Sequence, residues 1–338
     1  MKIVFFGTTQ TQVEILTKTL GNSGLDLIFI EESYNTHNKN MATEAEILSI
    51  FVGSTILKED IDNMPKLKHI STRSTGYDHI DIAYAKIKGI TVSNIPSYGS
   101  HTVAEYTFAL ILDLSRKVSS AVKQIREDGN FDISHFQGFD LYGKTIGVVG
   151  TGRIGKNVID IAKGFGMNII AYDLFPDENF AKEHNIIYKT LVELVSESDI
   201  TTIHAPYTKD TYHLINKDII SKFKAGSYLI NTARGEIVDT GALIWGLKEN
   251  IIAGAGLDVL EGERLIKEEA EFLLKNNSSI KNEQFKVLLE DHILMKMPNV
   301  IITPHIAFSS LEAENEILKV TGENILAIIN GSPKNLVL

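Results

Sequence analysis

From Thr145 onward the chain alternates between short runs that are apolar at every position and stretches with helical spacing. The runs are TIGVV, MNIIAY, DITTIHA, SYLINTA, IAGAGLDV and NVIITPH. Helices are expected between them, including one near Leu191 to Ser196 and one near Lys217 to Lys222. A strand that is apolar throughout, instead of at every second residue, is covered on both faces. Alternation with helices makes that covering a pair of helical layers on a parallel sheet. The pattern therefore predicts a doubly wound domain, in which ligands bind at the carboxyl ends of the strands.

Residues 1 to about 98 show a weaker version of the same alternation in KIVFF, LIFI, the run from Ile47 to Val52, KHISTRS and GITVSN. We read a second, smaller α/β unit there. A long helical stretch from about Ser310 to Asn330 is expected to pack back onto it, making that unit discontinuous. The fold class expected is α/β, with two Rossmann-like doubly wound parallel-sheet domains and a cleft between them. Residues 1–99 plus 308–338 form the substrate domain and residues 100–307 the dinucleotide domain. The length of 338 residues suits two domains of ordinary size. Leu265 to Met297, with the polar patch KNNSSIKNEQ, reads as an excursion from the larger sheet.

A net charge of −10 gives no basic footprint for nucleic acid, so a small-molecule partner is expected. The chain has no cysteine, which excludes disulfides, zinc–thiolate sites and a thiol nucleophile and fits a reducing compartment. No metal is expected. The N-terminus MKIVFFGTTQ reads at once as a strand, not as a signal peptide, and a cytoplasmic location is expected. The longest apolar stretch, TVAEYTFALILDLSRKV, carries Glu105 and Asp113 and is shorter than the roughly 20 apolar residues of a membrane span. It reads as a buried helix.

GVVGTGRIG places Gly150, Gly152 and Gly155 between a strand and a helix. The first glycine allows the tight turn, the second lets backbone approach a pyrophosphate, and the third allows close helix–sheet packing. The following strand, MNIIAY, leads into Asp173, where a carboxylate can accept hydrogen bonds from both ribose hydroxyls of NAD. That carboxylate repels a 2′-phosphate, and Leu174, Phe175 and Pro176 offer no arginine to receive one. NAD is favoured over NADP.

Three further residues lie at or just beyond predicted strand ends: Arg234 in LINTARGEIVD, Glu263 in GLDVLEGE and His305 in VIITPH. A guanidinium has the planar fork that grips a carboxylate through two charge-assisted bonds. A histidine can carry a proton near neutral pH, and a carboxylate beside it orients the ring and favours its charged form. The combination points to carbonyl reduction of a 2-keto acid: hydride reaches the carbonyl carbon, His305 protonates the oxygen, and Arg234 holds the carboxylate and polarises the carbonyl.

With these residues in order, the chain resembles the D-isomer-specific 2-hydroxyacid dehydrogenase family over nearly its whole length, through GVVGTGRIG, IHAP, LINTARGEIVD, AGAGLDVLEGE and MPNVIITPH. The resemblance implies catalytic roles for Arg234, Glu263 and His305. It also implies cofactor contacts at Arg153 and Ile154 in the glycine loop, Asp173, Ala205 and Pro206, Thr232 and Ala233, and Asp258 near the nicotinamide. The nearest likeness is to the D-lactate branch, which implies reduction of pyruvate to D-lactate. STRSTGYDHID resembles a turn whose backbone N–H groups, here of Thr75 and Gly76, meet the substrate carboxylate. Tyr98 and Phe308 match aromatic positions that line a small pocket, where they would cap a methyl-sized substituent.

His204 in IHAP ranks below His305, with a packing role, and His101 is assigned no chemistry. The alternatives are a glyoxylate or hydroxypyruvate reductase of the same family and a non-catalytic NADH-sensing, corepressor-like binder. Phosphoglycerate dehydrogenase is disfavoured by the lack of an extra basic cluster, and formate dehydrogenase by Glu263, where that enzyme carries glutamine. The apolar helix near Val103 to Leu114 is expected to help bury a two-fold homodimer interface. Domain closure is expected on hinges near Tyr98 to Ser100 and Ile306 to Phe308.

Overall fold

Both faces of the first strand are covered, and that fact organises the smaller unit. The computed structural model describes residues 1–21, 24–263, 265–266 and 282–337. The chain divides into two compact units, Met1–Gly99 with Ser309–Leu338, and Ser100–Phe308.

The first unit runs β1 (Lys2–Phe6), α1 (Gln10–Leu20), β2 (Asp26–Ile30), β3 (Ile47–Ile50), α2 (Lys58–Asp62), β4 (His69–Thr72), α3 (Ile82–Ile87) and β5 (Thr91–Ser93), and ends in a C-terminal helix, Leu311–Ile329. Its five strands are all parallel, in the order β2-β1-β3-β4-β5. Successive side chains of a strand point to opposite faces. Ile3 and Phe5 accordingly pack with Leu16 and Leu20 of α1 and Leu318 and Ile325 of the C-terminal helix, whereas Val4 and Phe6 join Leu48, Ile50 and Ile70 on the other face. Gly322 lets the C-terminal helix approach α1, because a Cβ there would lie 2.4 Å from the Thr19 side chain.

The second unit begins with α4 (Ser100–Arg116) and α5 (Val118–Asp128) and continues with β6 (Thr145–Val149), α6 (Arg153–Gly164), β7 (Asn168–Tyr172), α7 (Glu178–His184), β8 (Ile187–Tyr188), α8 (Leu191–Glu197), β9 (Ile200–Ile203) and α9 (Lys217–Ile220). It closes with β10 (Ser227–Asn231), α10 (Thr240–Lys248), β11 (Ile252–Leu257), α11 (Asn282–Met295) and β12 (Val300–Ile302). Seven parallel strands lie in the order β12-β11-β10-β9-β6-β7-β8. The order reverses between β6 and β9, which is where a doubly wound sheet opens a crevice. Side-chain caps set several helix starts: Asp239 accepts from Ala242 N at 2.8 Å at the head of α10, and Thr190 forms a capping box with Glu193 at α8.

Several elements lack a counterpart in the expected order, among them β8 and α5. The edge strand β8 is two residues long, too short to show any periodicity. Helix α5 has no buried residue, so nothing in its sequence had to announce a core. Helix α4, read as carrying more apolar surface than one core face needs, spends it within its own unit: Val103, Ala104, Phe108, Leu110 and Ile111 are all buried. Seven residues of the KNNSSIKNEQ patch, Lys275 to Lys281, lie outside the described residues, as does all of 267–281 within the expected excursion, whose later part forms α11.

The C-terminal helix completes the first unit's core through Ile325, which is fully buried against Ile3 and Phe5. Truncation of Ile325 to alanine is expected to cost about 2–5 kcal/mol, read as a lower urea midpoint for that unit. An unchanged midpoint would mean that the helix does not complete the core.

Candidate active site

The carboxyl ends of β6, β9, β10, β11 and β12 carry the expected residues of the second unit. Gly150 follows β6 with φ +93°, and its N–H donates to Tyr172 O at 2.8 Å. A Cβ at Gly150 would lie 2.6 Å from Ala205 N, so the glycine turn and the His204–Pro206 segment pass each other at backbone contact. At Gly155 a Cβ would lie 2.0 Å from Gly150 O, which holds α6 against the turn. Gly152, the N-cap of α6, has no atom within 4 Å of such a Cβ and opens outward. Exposed backbone at the head of a 12-residue helix is what a pyrophosphate requires. Arg153 is exposed there, and Ile154 is half-buried against the core.

Asp173 sits at the end of β7, and its carboxylate braces this turn. Oδ2 accepts from Thr151 N at 2.6 Å and Thr151 Oγ1 at 2.9 Å, and Oδ1 accepts from Phe175 N at 2.9 Å. Tyr188 of β8 reaches the same threonine, with 2.8 Å between its hydroxyl and Thr151 Oγ1. Turn, open helix head and acid at the second strand end together fit a dinucleotide. Thr232 turns its hydroxyl toward Thr107 of α4 at 3.1 Å, and Ala233 N donates to Asn231 Oδ1 at 3.0 Å.

Strands β10, β11 and β12 are neighbours, with Leu257 in register with Asn231 on one side and Ile302 on the other. Thr232, Asp258 and Thr303 therefore begin their loops close to a common level, with Arg234 two residues further on. His305 Nδ1 lies 3.0 Å from Glu263 Oε2 and 3.2 Å from Oε1, so the expected pair is formed. Their side chains are about one-fifth and one-quarter exposed, at 20% and 26%. His305 has φ +58°, in the left-handed region where a non-glycine residue costs roughly 1–3 kcal/mol.

Asp258 holds that conformation in place. Its Oδ1 accepts from Thr303 Oγ1 at 2.6 Å and Ile306 N at 3.0 Å, and its Oδ2 from Ala307 N at 2.8 Å. Burial pushes the Asp258 carboxyl above the usual range, opposed by these same hydrogen bonds. Its side chain thus braces the His305 loop, a role the sequence did not show.

Arg234 leaves β10 in an extended conformation and enters a short 3-10 turn, Gly235–Ile237. Asn231 Nδ2 donates to Arg234 O at 2.8 Å, and Arg234 Nη1 to Ala233 O at 2.8 Å. Gly235 matters for proximity: a Cβ there would lie 2.0 Å from the Leu260 carbonyl carbon and 2.3 Å from Glu261 N. The arginine turn and the loop that leads to Glu263 are in direct backbone contact. Neither Gly235 nor Asn231 was singled out from the sequence, although both lie within two or three residues of Arg234.

In the first unit, Thr75 and Gly76 follow β4. Thr75 Oγ1 donates to Ile95 O at 2.8 Å and Asn94 Nδ2 to Thr75 O at 2.8 Å. Among the described contacts, neither Thr75 N–H nor Gly76 N–H has a protein acceptor. Tyr98 and Phe308 are both half-buried. His204 is not suited to proton transfer, because burial lowers its pKa to about 3 and its Nε2 is engaged with Thr202 Oγ1 at 2.9 Å. His101 is exposed at the start of α4.

A further acid lies behind the Glu263 loop. Asp291 of α11 is fully buried, and its Oδ2 accepts from Gly262 N at 3.1 Å. Burial, with the added repulsion of Glu261, Glu290 and Glu236, pushes its pKa up to about 7. Its position in an ordinary amphipathic helix gave no sign of this.

Residues 108–307 match the family described as D-isomer specific 2-hydroxyacid dehydrogenase, NAD binding domain. The chain is similar to the aromatic 2-oxoacid reductase of Clostridium sporogenes, with 36% identity over 342 residues, covering 99% of this chain and 98% of that protein. It is similar also to the glyoxylate reductase of Korarchaeum cryptofilum, with 37% identity over 284 residues, covering 82% and 78%. Among solved structures, the D-lactate dehydrogenase of Aquifex aeolicus complexed with NAD and lactic acid aligns with a TM-score of 0.85 and 36% identity, covering 98% of this chain and 96% of that one.

Asp291 makes stability depend on pH with a definite sign. Its folded-state pKa of about 7 lies above the roughly 3.9 of a free aspartate. Its contribution is therefore fully present below about pH 4 and is lost as pH rises through about 7. Asp291→Asn, neutral throughout and still able to accept from Gly262, is expected to gain in melting temperature relative to the native chain between pH 5 and 8. A difference that does not vary with pH would contradict this.

Proposed function

The chain belongs to the D-isomer specific 2-hydroxyacid dehydrogenase family, and from that premise we propose that it reduces pyruvate to D-lactate with NADH. The observation that carries this reading is the His305–Glu263 pair, held at 3.0 Å on a loop braced by Asp258, with the Arg234 turn packed on the loop leading to Glu263.

His305 presents Nδ1 to the carboxylate, which fixes the ring and turns Nε2 toward the opposite side. From Nε2 the proton goes to the carbonyl oxygen of the keto acid. Glu263 stabilises the charged ring that makes the donation. Arg234 grips the substrate carboxylate through its planar fork and draws electron density from the adjacent carbonyl, so that the acid is oriented before reaction. A bound reduced nicotinamide supplies the hydride for the carbonyl carbon. The glycine turn, Asp173, Ala205, Pro206, Thr232 and Ala233 line the strand ends on which the dinucleotide would rest. Thr75 and Gly76 offer backbone N–H groups suited to an anion.

Pyruvate is favoured because Tyr98 and Phe308, by family likeness, would cap a methyl-sized substituent. The similarity to the Aquifex aeolicus enzyme, solved with lactic acid, supports the same choice. A second reading, reduction of a bulkier aromatic keto acid, is favoured by the similarity to the Clostridium sporogenes reductase along 99% of the chain.

We also propose a homodimer, with its contact on α5 and the segment after it. Val118, Val122 and Ile125 recur at helical spacing and are 54%, 43% and 40% exposed, and Phe131, Ile133 and Tyr142 each exceed 80%. A stripe of exposed apolar side chains along α5, followed by more in the next segment, suits the self-complementary contact of a two-fold dimer.

Steady-state NADH oxidation with pyruvate, glyoxylate, hydroxypyruvate and phenylpyruvate tests the function, and pyruvate is expected to give the highest kcat/KM. A higher value for any of the others reassigns the substrate, and cofactor binding without turnover on any of them supports a sensor. His305→Gln is expected to lower kcat/KM by roughly 10²–10⁴ while leaving NADH affinity intact. Light scattering at micromolar concentration is expected to give a dimer mass for the native chain and a monomer mass for Val122→Lys. A native monomer removes the dimer proposal.

A further inference from the structure

A second histidine–carboxylate pair lies two residues before Glu263. His213 Nε2 is 2.7 Å from Glu261 Oε1, and the other oxygen of Glu261 accepts from Thr240 Oγ1 at 3.0 Å. Glu261 is only 10% exposed, and His213 is 27% exposed. Its backbone has φ +49°, an unfavourable conformation that the surrounding contacts must hold. Those contacts lead to the arginine turn: His213 N–H donates to Glu236 O at 2.9 Å, and two residues on, Ile215 N–H donates to Ile237 O at 3.0 Å.

His213 therefore grips both loops of the site. Its main chain is bonded to the turn that follows Arg234, and its side chain to the loop that ends in Glu263. Thr240, at the head of α10, anchors the same carboxylate from a third element. Between these tethers Gly235 passes so close to the Leu260 and Glu261 backbone that a Cβ on it would lie 2.0 and 2.3 Å away, which keeps the two loops in contact. Hydrogen bonds of a buried carboxylate are costly to break singly, because the remaining charge keeps its desolvation penalty.

We propose that Glu261, bridged by His213 and Thr240, is a positioning residue that sets the Arg234 turn against the Glu263–His305 pair for reaction with the keto acid. The assignment rests on the function proposed above. Neither His213 nor Glu261 touches the substrate in it; both act through Arg234 and Glu263. Cutting the bridge leaves the dinucleotide turn at Gly150 to Gly155 untouched, because that turn is braced separately by Asp173.

The test compares His213→Ala, His213→Gln and the native chain in three measurements: kcat and KM for the keto acid, the Kd of NADH by fluorescence, and the melting temperature. A glutamine amide can still donate to Glu261 from a position near that of Nε2. His213→Ala is expected to lose about a hundredfold in kcat/KM, the scale of a misplacement near 1 Å. NADH affinity should stay near native, the melting temperature should fall because Glu261 stays buried and charged with one bond fewer, and His213→Gln should recover most of both losses. Alanine kinetics equal to native would overturn the assignment, as would a glutamine variant that is just as impaired and melts equally early. A native chain that turns over no keto acid would overturn the reading beneath it and the assignment together. An active native chain with an indifferent His213→Ala overturns the assignment alone.

Discussion

A single buried carboxylate, that of Asp258, carries the geometry of the proposed proton donor. It accepts from Thr303 Oγ1, Ile306 N and Ala307 N, and so determines the course of the loop on both sides of His305. A histidine at φ +58° does not rest there by preference. Burying an acid with three donors around it offsets that strain and aims Nδ1 at Glu263. The His305–Glu263 pair is thus the outer end of a bracing chain that begins at the end of β11.

The sheet makes that chain possible. Parallel strands deliver their carboxyl ends to one edge, and the order β12-β11-β10-β9-β6 places His305, Asp258, Arg234, Ala205 and Gly150 in loops that follow consecutive neighbours. Close backbone approach does the rest, at Gly150 against Ala205 and at Gly235 against Leu260. A β-carbon at either place would separate loops whose chemistry depends on contact.

Much of this was readable from residues alone. The wholly apolar strands announced a sheet covered on both faces, and all six runs quoted from Thr145 onward contain strands. The pairing of Glu263 with His305 also followed from chemistry at strand ends. What could not be read has physical causes. Strand β8 is two residues long and leaves no periodic trace, and α5, although its apolar residues recur at helical spacing, buries nothing that would mark it as core. Asp258 was read only as a contact near the nicotinamide, because sequence does not show that its carboxylate also braces Thr303, Ile306 and Ala307. His213, Glu261 and Asp291 are ordinary polar residues until folding brings residues 48 and 29 positions apart into hydrogen-bond contact. The apolar excess of α4 suggested an interface, and Val103, Ala104, Phe108, Leu110 and Ile111 are already buried within the single chain, a depth that sequence alone does not show.

The account turns on one guanidinium holding an organic acid while one carboxylate-paired imidazole protonates it. A crystal structure of the chain with NADH and oxamate, an isostere of pyruvate, tests this most directly. The account requires the Arg234 guanidinium on the oxamate carboxylate and His305 Nε2 within hydrogen-bond distance of its carbonyl oxygen. Oxamate bound with neither side chain in contact, or with Arg234 turned away from it, would contradict the account.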